Sequence, residues 1–230
     1  MTTGENATLD LAELPKVTVV IPAYNAEMYL GSTIESALSQ TYKNFEVLVV
    51  DDGSTDRTKQ IGLTFAAKDA RLRIVSGPNG GVARARNVGT ELADGKYVAY
   101  LDADDLWHET KLAEQVRILE AASDTSWAAC YALFLFIDSS GFVVRPGPTR
   151  RAEGYILARH LFAKFVGNGS SLLVRRDAAL AVGGFDPSYA DAGIGGCEDF
   201  DFELRLAARY RIAVAPEYLI GYRSYPGNMS

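Results

Sequence analysis

Three carboxylates stand within four residues at the end of an apolar run. The stretch "YLDADDLW", residues 100–107, places Asp102, Asp104 and Asp105 directly after "YVAYL". Like charges rarely crowd at the end of a core segment unless something positive is held there, because their repulsion is otherwise uncompensated. Asp102 and Asp104 are two residues apart, so an extended strand would project both to the same side. Two such oxygen ligands suit Mg²⁺ or Mn²⁺, which keep bound water and take other ligands from substrate phosphates.

A glycine-rich stretch with two arginines precedes these aspartates. "GGVARARN" places Arg84 and Arg86 about one turn inside the helix that it opens. Backbone N–H groups at a helix start and guanidinium groups both bind anions, so this is a candidate site for a phosphorylated ligand. The alternative is that the arginines lie on a solvated helix face, which we weigh more heavily for Arg86 than for Arg84.

The elements that would position these residues alternate between two periodicities. Short apolar runs at residues 17–21, 45–50, 72–75 and 97–101 predict buried strands, and amphipathic stretches between them predict helices. This alternation predicts right-handed crossovers and a mainly parallel sheet flanked by helices.

Each of the four predicted strands is followed by a polar loop. The loops are "PAYNAE", "DDGSTD", "GPNGGVARARN" and "DADD". In an open parallel sheet, ligands bind beyond the carboxyl ends of the strands. Each loop alone is ordinary turn chemistry, but their convergence on one edge favours a binding site.

The second half of the chain is less regular. "WAACYALFLFI" and "FVV" flank the turn "DSSG" and predict a hairpin, "SSLLVRR" predicts a strand, and "RIAVA" and "LIGYRSY" predict two late strands. "CEDFDFELRLAARY" predicts a helix with a core stripe of Phe200, Leu204 and Ala207. Glu198 and Asp199 fall at its start, where the helix dipole alone would favour negative charge.

Composition excludes several classes of protein. The chain has 230 residues, a formal net charge of −6 and 48% hydrophobic residues, which suits one globular domain. An acidic chain repels nucleic-acid phosphates, so we expect no nucleic-acid partner. No apolar run reaches the roughly 20 residues of a membrane helix, and no signal peptide is recognisable. Cys130 and Cys197 match no metal spacing, and we expect reduced thiols in a cytoplasmic protein.

Taken in order, the motifs resemble those of the family 2 glycosyltransferases, whose fold is called GT-A. The resemblance rests on "VTVVIPAYNAE", "DDGSTDRT", "NGGVARARN", "YLDADD", "GGFD", "CEDFDFELRLA" and "YRSYPGNMS", and runs from about Lys16 to the last residue. It implies a single GT-A-type α/β domain over residues 16–230 after a flexible segment, 1–15. Within it, the nucleotide-binding part would span about 16–105 and the acceptor part about 106–230.

The resemblance also implies an activity and a role for each matched residue. The activity is inverting transfer of a sugar from a nucleotide-sugar donor, UDP-linked by analogy, to a hydroxyl of a saccharide or lipid-linked saccharide. Asp104, together with Asp102, would hold Mn²⁺ or Mg²⁺, and Asp199 would be the general base. The residues implied in nucleotide binding are Pro22, Tyr24, Asn25, Asp52, Arg84 and Asp102. The residues implied on the acceptor side are Gly184, Phe185, Asp186 and Glu198.

One position departs from the family pattern. The family's final motif often reads Tyr-Arg-x-His, with a histidine that helps to bind the metal or the pyrophosphate, whereas "YRSY" places Tyr225 there. Both histidines, His108 and His160, lie elsewhere. The chain also stops at this motif, and we expect that a C-terminal continuation seen in relatives is absent. Through such a part, relatives of this kind would contact the cytoplasmic face of a membrane.

Two other functions compete with glycosyl transfer. A sugar-phosphate nucleotidyltransferase has a related sheet and an acidic metal site, but it would show a basic glycine-rich stretch after the first strand, which "IPAYNAE" lacks. A degenerate domain that binds nucleotide or carbohydrate without turnover is supported by Tyr225 alone, while Asp104 and Asp199 argue against it.

Overall fold

The computed structural model describes residues 14–122, 124–194 and 196–225, which form an α/β fold. All but the last two residues of the segment 1–15 lie outside the described residues. The strands are β1 Val17–Ala23, β2 Phe45–Asp51, β3 Leu72–Ser76, β4 Tyr97–Tyr100, β5 Leu106–Trp107, β6 Trp127–Ile137, β7 Val143–Pro146, β8 Leu172–Arg175 and β9 Arg211–Arg223. The helices are α1 Leu30–Leu38, α2 Thr58–Ala66, α3 Val82–Glu91, α4 Lys111–Glu120, α5 Leu157–Phe162, α6 Arg176–Ala181, α7 Ser188–Asp191 and α8 Glu198–Ala207.

The strands form one sheet in the order β3-β2-β1-β4-β8-β6-β9-β5, with β7 paired to β6. Strands β1 to β4 pair in parallel, as their alternation with helices predicts. Beyond β4 the sheet is mixed, because β8 runs antiparallel to both β4 and β6 while β6 and β9 run parallel to each other. The predicted hairpin is confirmed, since β7 runs antiparallel to β6.

Both faces of the sheet are covered, so the apolar core lies in two layers. Successive residues of β1 belong to different layers: Val19 and Ile21 pack with α1 and α4, whereas Val20 packs with α3, α6 and α8. This alternation follows from the two-residue period of a strand. Helix α3 approaches β1 closely, because a Cβ at Gly89 would lie 2.2 Å from Val20 Cγ1. No helix within the described residues combines the length and the apolar character needed to cross a membrane.

Two predicted boundaries are wrong. The fourth strand ends at Tyr100, so the aspartates that follow it lie in a turn and not on an extended strand. The two late strands are one, β9, whose pairing with β6 shifts register near Leu133 and so accommodates "PEY" within a continuous strand.

The predicted core stripe of α8 is wrong at two of its three residues and right at Ala207. Its buried apolar residues are Phe202, Leu206 and Ala207, whereas Phe200 and Leu204 are only half-buried. The inner face of α8 also carries two buried glutamates, Glu198 and Glu203. Because their cationic or imidazole partners come from distant segments, the apolar pattern alone gave the wrong phase for the helix.

Candidate functional site

The loops after β1 and β2 are held together at the carboxyl edge of the sheet. Pro22 lies within β1 and is buried, while Tyr24 and Asn25 follow the strand and are exposed. Asn25 adopts a left-handed conformation, with φ 48°. Its side-chain oxygen accepts a hydrogen bond from the backbone N–H of Thr55 at 2.8 Å, and its own N–H donates to Ser54 Oγ at 3.0 Å. The exposed tyrosine ring therefore stands beside a fixed loop.

Asp52 connects the second and third loops. Its two carboxylate oxygens accept hydrogen bonds from the N–H groups of Gly80 and Gly81, each at 2.8 Å. Gly53 makes this approach possible, because it has a φ of +74° and a Cβ there would lie 2.6 Å from the backbone nitrogen of Asn79. These two hydrogen bonds hold the glycine-rich loop that precedes α3 against the end of β2.

The two aspartates of the Asp-x-Asp pair each have a partner from a different segment. Asp102 Oδ1 accepts from Arg86 Nη2 at 2.6 Å, and Asp104 Oδ2 accepts from the phenol of Tyr225 at 3.0 Å. Burial raises the pKa of Asp104, and the negative charge of Asp102 raises it further. A divalent cation bound by these carboxylates would lower the pKa of Asp104 again, because a nearby positive charge favours the ionised form.

Asp105, the third carboxylate of the cluster, is structural. It is fully buried and accepts hydrogen bonds from Ser170 Oγ at 2.6 Å, Asn168 Nδ2 at 3.1 Å and the backbone N–H of Arg223 at 2.9 Å. Burial, followed by the charges of Asp102 and Asp104, raises the pKa of Asp105 well above its usual range. It joins the loop of residues 101–105, which we call the aspartate loop, to β9 and to the turn before β8.

The donor set fits a metal that is shared with substrate. Within the described ranges 14–122, 124–194 and 196–225, no three His, Cys, Asp or Glu side chains form a group that could hold a metal ion. Asp102 and Asp104 supply two hard oxygen ligands at the sheet edge. Mg²⁺ and Mn²⁺ are bound in this way, by one or two carboxylates together with water and substrate phosphates.

Arg86 is buried, so the alternative that placed it on a solvated helix face is wrong. Its guanidinium lies 2.6 Å from Asp102 Oδ1 and 3.1 Å from Glu198 Oε1, and only 4% of its side chain is exposed. Burial by itself lowers the pKa of Arg86, but the charges of Asp102 and Glu198 raise it above its usual value. Arg84 points outward instead and pairs with Asp191 at 2.8 Å.

A signal in the sequence could have shown this orientation of α3. Arg86 shares one helical face with Ala83, Gly89 and Thr90, and all three are buried. Residues three and four apart lie on the same side of a helix, so the small residues indicate the face that packs on the sheet. Arg84 is about 200° away from Arg86 and must face solvent when Arg86 faces inward.

Asp199 lies in the first turn of α8 and contacts a lysine that the sequence did not indicate. Asp199 Oδ2 accepts a hydrogen bond from Lys164 Nζ at 2.7 Å. Burial by itself lowers the pKa of Lys164, but the carboxylates of Glu203 and Asp199 raise it. Lys164 lies 35 residues before Asp199 in an irregular segment, and no local pattern connects the two.

The acceptor-side residues divide between core and surface. Phe185 is buried and stacks on Phe202 of α8, with ring centroids 4.2 Å apart. Asp186 is exposed and accepts a hydrogen bond from the N–H of Ser188. Gly184 has a φ of +66°, which favours glycine. Glu198 pairs with Arg86, which in turn pairs with Asp102, and the guanidinium of Arg86 also lies 5.1 Å from the centroid of the Phe185 ring.

A family model described as Glycosyl transferase family 2 matches residues 18–176, more than half of the chain. The chain belongs to glycosyl transferase family 2. The matched residues include the loops after β1, β2 and β4 and the whole of α3. Asp199 and Tyr225 lie beyond them.

Curated relatives of this family 2 glycosyltransferase are longer than the chain. This chain is 33% identical over 177 residues to the uncharacterized glycosyltransferase RP339 of Rickettsia prowazekii, and the match covers 76% of this chain and 54% of that protein. It is 43% identical over 105 residues to WfaP of Escherichia coli, which is named as a UDP-Glc:alpha-D-GlcNAc-diphosphoundecaprenol beta-1,3-glucosyltransferase, covering 45% of this chain and 41% of WfaP. The chain thus spans about half of these relatives or less.

Solved structures confirm the GT-A-type fold. S. aureus TarS superposes with a TM-score of 0.74 at 22% identity, over 90% of this chain and 60% of that one. The mannosyltransferase PcManGT from Pyrobaculum calidifontis, in complex with GDP-Man and Mn²⁺, superposes with a TM-score of 0.68 at 21% identity, over 96% and 60%. At these identities the likeness shows the fold alone.

Proposed function

We propose that this family 2 glycosyltransferase moves a sugar from a UDP-linked donor to a hydroxyl of a saccharide or lipid-linked saccharide, with inversion at the anomeric carbon. The observation that carries the proposal is the buried bridge made by Arg86. It joins Asp102, in the aspartate loop at the donor edge, to Glu198, the neighbour of Asp199 at the start of α8. Arg86 thereby connects a candidate metal ligand to the residue next to the candidate base.

The donor would bind over the loops at the carboxyl edge of the sheet. In our proposal Tyr24 and Asn25 flank the nucleoside, Pro22 shapes the floor beneath it, and Asp52 approaches the base. Arg84 would approach the diphosphate, and its half-exposed guanidinium is held by Asp191 until a ligand arrives. Solved complexes of TarS with UDP and with UDP-GlcNAc, and the UDP-Glc named for WfaP, favour uridine nucleotides.

Asp104 and Asp102 would hold Mn²⁺ or Mg²⁺ in this enzyme. When bound, the ion would offset negative charge on the departing diphosphate. The protein's own part is to keep the two carboxylates in place, and it does so with Arg86 on one side and Tyr225 on the other. The Mn²⁺ complex of PcManGT supports the use of a divalent metal.

Asp199 would take the proton from the attacking acceptor hydroxyl. General-base help of this kind contributes roughly 10²- to 10⁴-fold to a rate. Lys164 holds one oxygen of Asp199, and a carboxylate oxygen can accept a second hydrogen bond. Lys164 would therefore orient the base without preventing its contact with the acceptor. Glu198, Gly184 and Asp186 would line the acceptor side, and Phe185 would support it from the core.

Residues 16–105 would form the donor part and residues 106–230 the acceptor part of one catalytic domain, which would act in the cytoplasm, at the membrane face when the acceptor is lipid-linked. The lipid-linked substrate in the name of WfaP supports such an acceptor.

The proposal is tested by nucleotide binding and sugar transfer together. Nucleotide-sugars are screened by thermal shift with Mn²⁺, and the best donor is then assayed for transfer and for hydrolysis. Asp104→Ala should remove metal-dependent UDP binding and leave the melting temperature without ligand unchanged. Glu91→Ala, which removes an exposed carboxylate from α3, is the matched control. Binding without transfer or hydrolysis would identify a non-catalytic binding domain, and unchanged UDP affinity in Asp104→Ala would remove Asp104 from the site.

A further inference from the structure

Helix α8 carries a second carboxylate one turn after the candidate base. Asp199 and Glu203 are four residues apart, so they lie on the same side of the helix. Glu203 is 1% exposed and has no role in the chemistry proposed above. A carboxylate is rarely buried to this extent unless it is paired or hydrogen-bonded, because removing its charge from water is costly. The partners of Glu203 therefore indicate what it does.

The hydrogen-bond partner of Glu203 is His160 of α5, which is also fully buried. His160 Nε2 lies 2.9 Å from Glu203 Oε2, and His160 Nδ1 accepts a hydrogen bond from the backbone N–H of Phe165 at 3.2 Å. A backbone N–H can only donate, so Nδ1 is the nitrogen without a proton, and Nε2 donates its proton to Glu203. Burial, followed by the charge of Lys164, lowers the pKa of His160 to about 4, which agrees with a neutral ring.

His160 also connects α8 to the segment that carries Lys164. Phe165, whose N–H bonds to Nδ1, directly follows Lys164 in the chain. The imidazole thus holds Glu203 with one nitrogen and the backbone next to Lys164 with the other. Its ring also lies against Phe200 of α8, with centroids 5.1 Å apart. These contacts fix the position of Lys164 relative to α8.

The charge of Lys164 depends on the carboxylates of α8. Burial by itself lowers the pKa of Lys164, and the like charge of Arg86 on α3 lowers it further, but Glu203 and Asp199 raise it above its usual value. In return, the ammonium group of Lys164 opposes the rise that burial causes in the pKa of Glu203. Glu203 therefore favours the cationic form of Lys164, which is the stronger hydrogen-bond donor to Asp199.

We propose that Glu203 and His160 are positioning residues for sugar transfer, which hold Lys164 in the place and the charge state in which it orients Asp199. Because both are buried, they act through Lys164 and not on the substrate. The contact between Asp199 and the acceptor rests on the proposed function. The arrangement of His160, Glu203 and Lys164 does not.

Glu203→Gln tests the role of the carboxylate in transfer. Glutamine has the size of glutamate and can accept the hydrogen bond from His160, but it has no negative charge. We expect kcat to fall by about 10- to 100-fold, as when a catalytic group is displaced, with the acceptor KM and the UDP affinity unchanged. Glu46→Gln is the matched control, because Glu46 is a largely buried carboxylate that pairs with Lys16 at 3.1 Å, at the opposite end of β2 from Asp51. It should keep the kcat of the unaltered protein.

Two substitutions of His160 test the hydrogen bond to Glu203. The side-chain N–H of His160→Gln can still donate to Glu203, whereas His160→Leu fills the space without a donor. We expect His160→Gln to retain more of kcat than His160→Leu. Circular dichroism melts establish that each variant is folded.

Nuclear magnetic resonance measures the arrangement without catalysis. In the unaltered protein the nitrogen chemical shifts of His160 should show the proton on Nε2. The pKa of Lys164, measured from the chemical shift of its Cε, should be lower in Glu203→Gln than in the unaltered protein, because that variant lacks the negative charge. It should not change in Glu46→Gln.

Several results would overturn the proposal. Normal kcat in Glu203→Gln, or an equal loss in Glu203→Gln and Glu46→Gln, would show that Glu203 does not position the base. Loss of UDP affinity in Glu203→Gln would assign the effect to the donor site. A proton on Nδ1 of His160 in the unaltered protein would contradict the arrangement itself, whether or not the variants fold. Absence of transfer by the unaltered protein would instead contradict the proposed function, and the positioning role would fall with it.

Discussion

The phenol of Tyr225 donates a hydrogen bond to Asp104 Oδ2 at a distance of 3.0 Å. Burial raises the pKa of Tyr225, and the carboxylate of Asp104 raises it further, so the phenol stays protonated and remains a donor. Its ring lies against Tyr29, with centroids 5.1 Å apart. The position where the family pattern often has histidine is therefore filled by a neutral group that touches the candidate metal ligand directly.

Tyr225→His should strengthen the binding of UDP in the presence of Mn²⁺. The imidazole would add a nitrogen ligand next to Asp104, and a gained contact of this kind contributes about 1 kcal/mol, or roughly fivefold in affinity. Isothermal calorimetry with and without Mn²⁺ measures the change. Tyr225→Phe is the matched control, because it keeps the ring beside Tyr29 but cannot donate to Asp104. Equal affinities for all three proteins would show that position 225 lies outside the nucleotide site.

Asp199→Asn should lower sugar transfer by roughly 10²- to 10⁴-fold, since an amide has the size of a carboxylate but cannot accept the proton. UDP affinity should be unchanged, because Asp199 lies next to Glu198, whereas the loops proposed to bind UDP lie on the other side of Arg86, with Asp102. Asp201→Asn is the control on the same helix, where Asp201 pairs with Arg205. Turnover and UDP affinity are measured on one preparation. Normal turnover would make Asp199 only a helix-start carboxylate, and loss of UDP binding would assign it to the donor.

Arg86→Met should destabilise the protein by about 3 to 5 kcal/mol, the range for removing one partner from a buried ion pair. The substitution would leave the partly buried carboxylates of Asp102 and Glu198 without their cation. Arg84→Met removes an exposed arginine from the same helix and should reduce stability far less, because an exposed ion pair is screened by solvent and contributes little. Urea unfolding of both variants gives the comparison. Similar losses in the two would mean that Arg86 is not the group that compensates these carboxylates.

Lys111→Met should stabilise the protein. Lys111 is fully buried, and its Nζ lies 3.7 Å from the centroid of the Trp107 ring, with no hydrogen-bond partner among the described residues. Burial lowers the pKa of Lys111 well below its usual range. A cation–π contact contributes about 2 kcal/mol at best, which is less than the several kcal/mol needed to bury an ammonium group. We therefore expect Lys111 to be neutral in the folded protein.

The stabilising effect of Lys111→Met should grow as pH falls. Below the pKa of an exposed lysine the unfolded chain binds a proton that the folded chain does not, so the wild-type protein loses stability at about 1.4 kcal/mol per pH unit until the folded pKa is reached. Methionine at this position removes that loss. The difference in free energy of unfolding between the two proteins, measured by urea at pH 9 and pH 8, should be larger at pH 8. A difference that does not change with pH would mean that Lys111 stays charged.

The sequence predicts the structure best where a segment's own residues determine its conformation. The parallel strands β1 to β4 could be predicted because each is a short apolar run between helices, and the loops at their carboxyl ends follow directly. The phase of α8 could not be predicted, because its buried glutamates have partners more than forty residues away in the chain, such as His160 for Glu203. Lys164 was missed for the same reason. Charged groups whose partners are distant in the sequence produce no periodic pattern in the residues around them.

The hydrogen bond from the N–H of Arg223 to Asp105 has a consequence for the order in which parts of the protein fold during synthesis. The two residues are 118 positions apart, and Arg223 is the last residue of β9, which lies between β6 and β5 in the sheet. Contacts between residues so distant in sequence form slowly, because a long loop must close first. A nascent chain can pair β1, β2 and β4 while synthesis continues. Its aspartate loop is complete only after residue 223 has left the ribosome and β9 has docked.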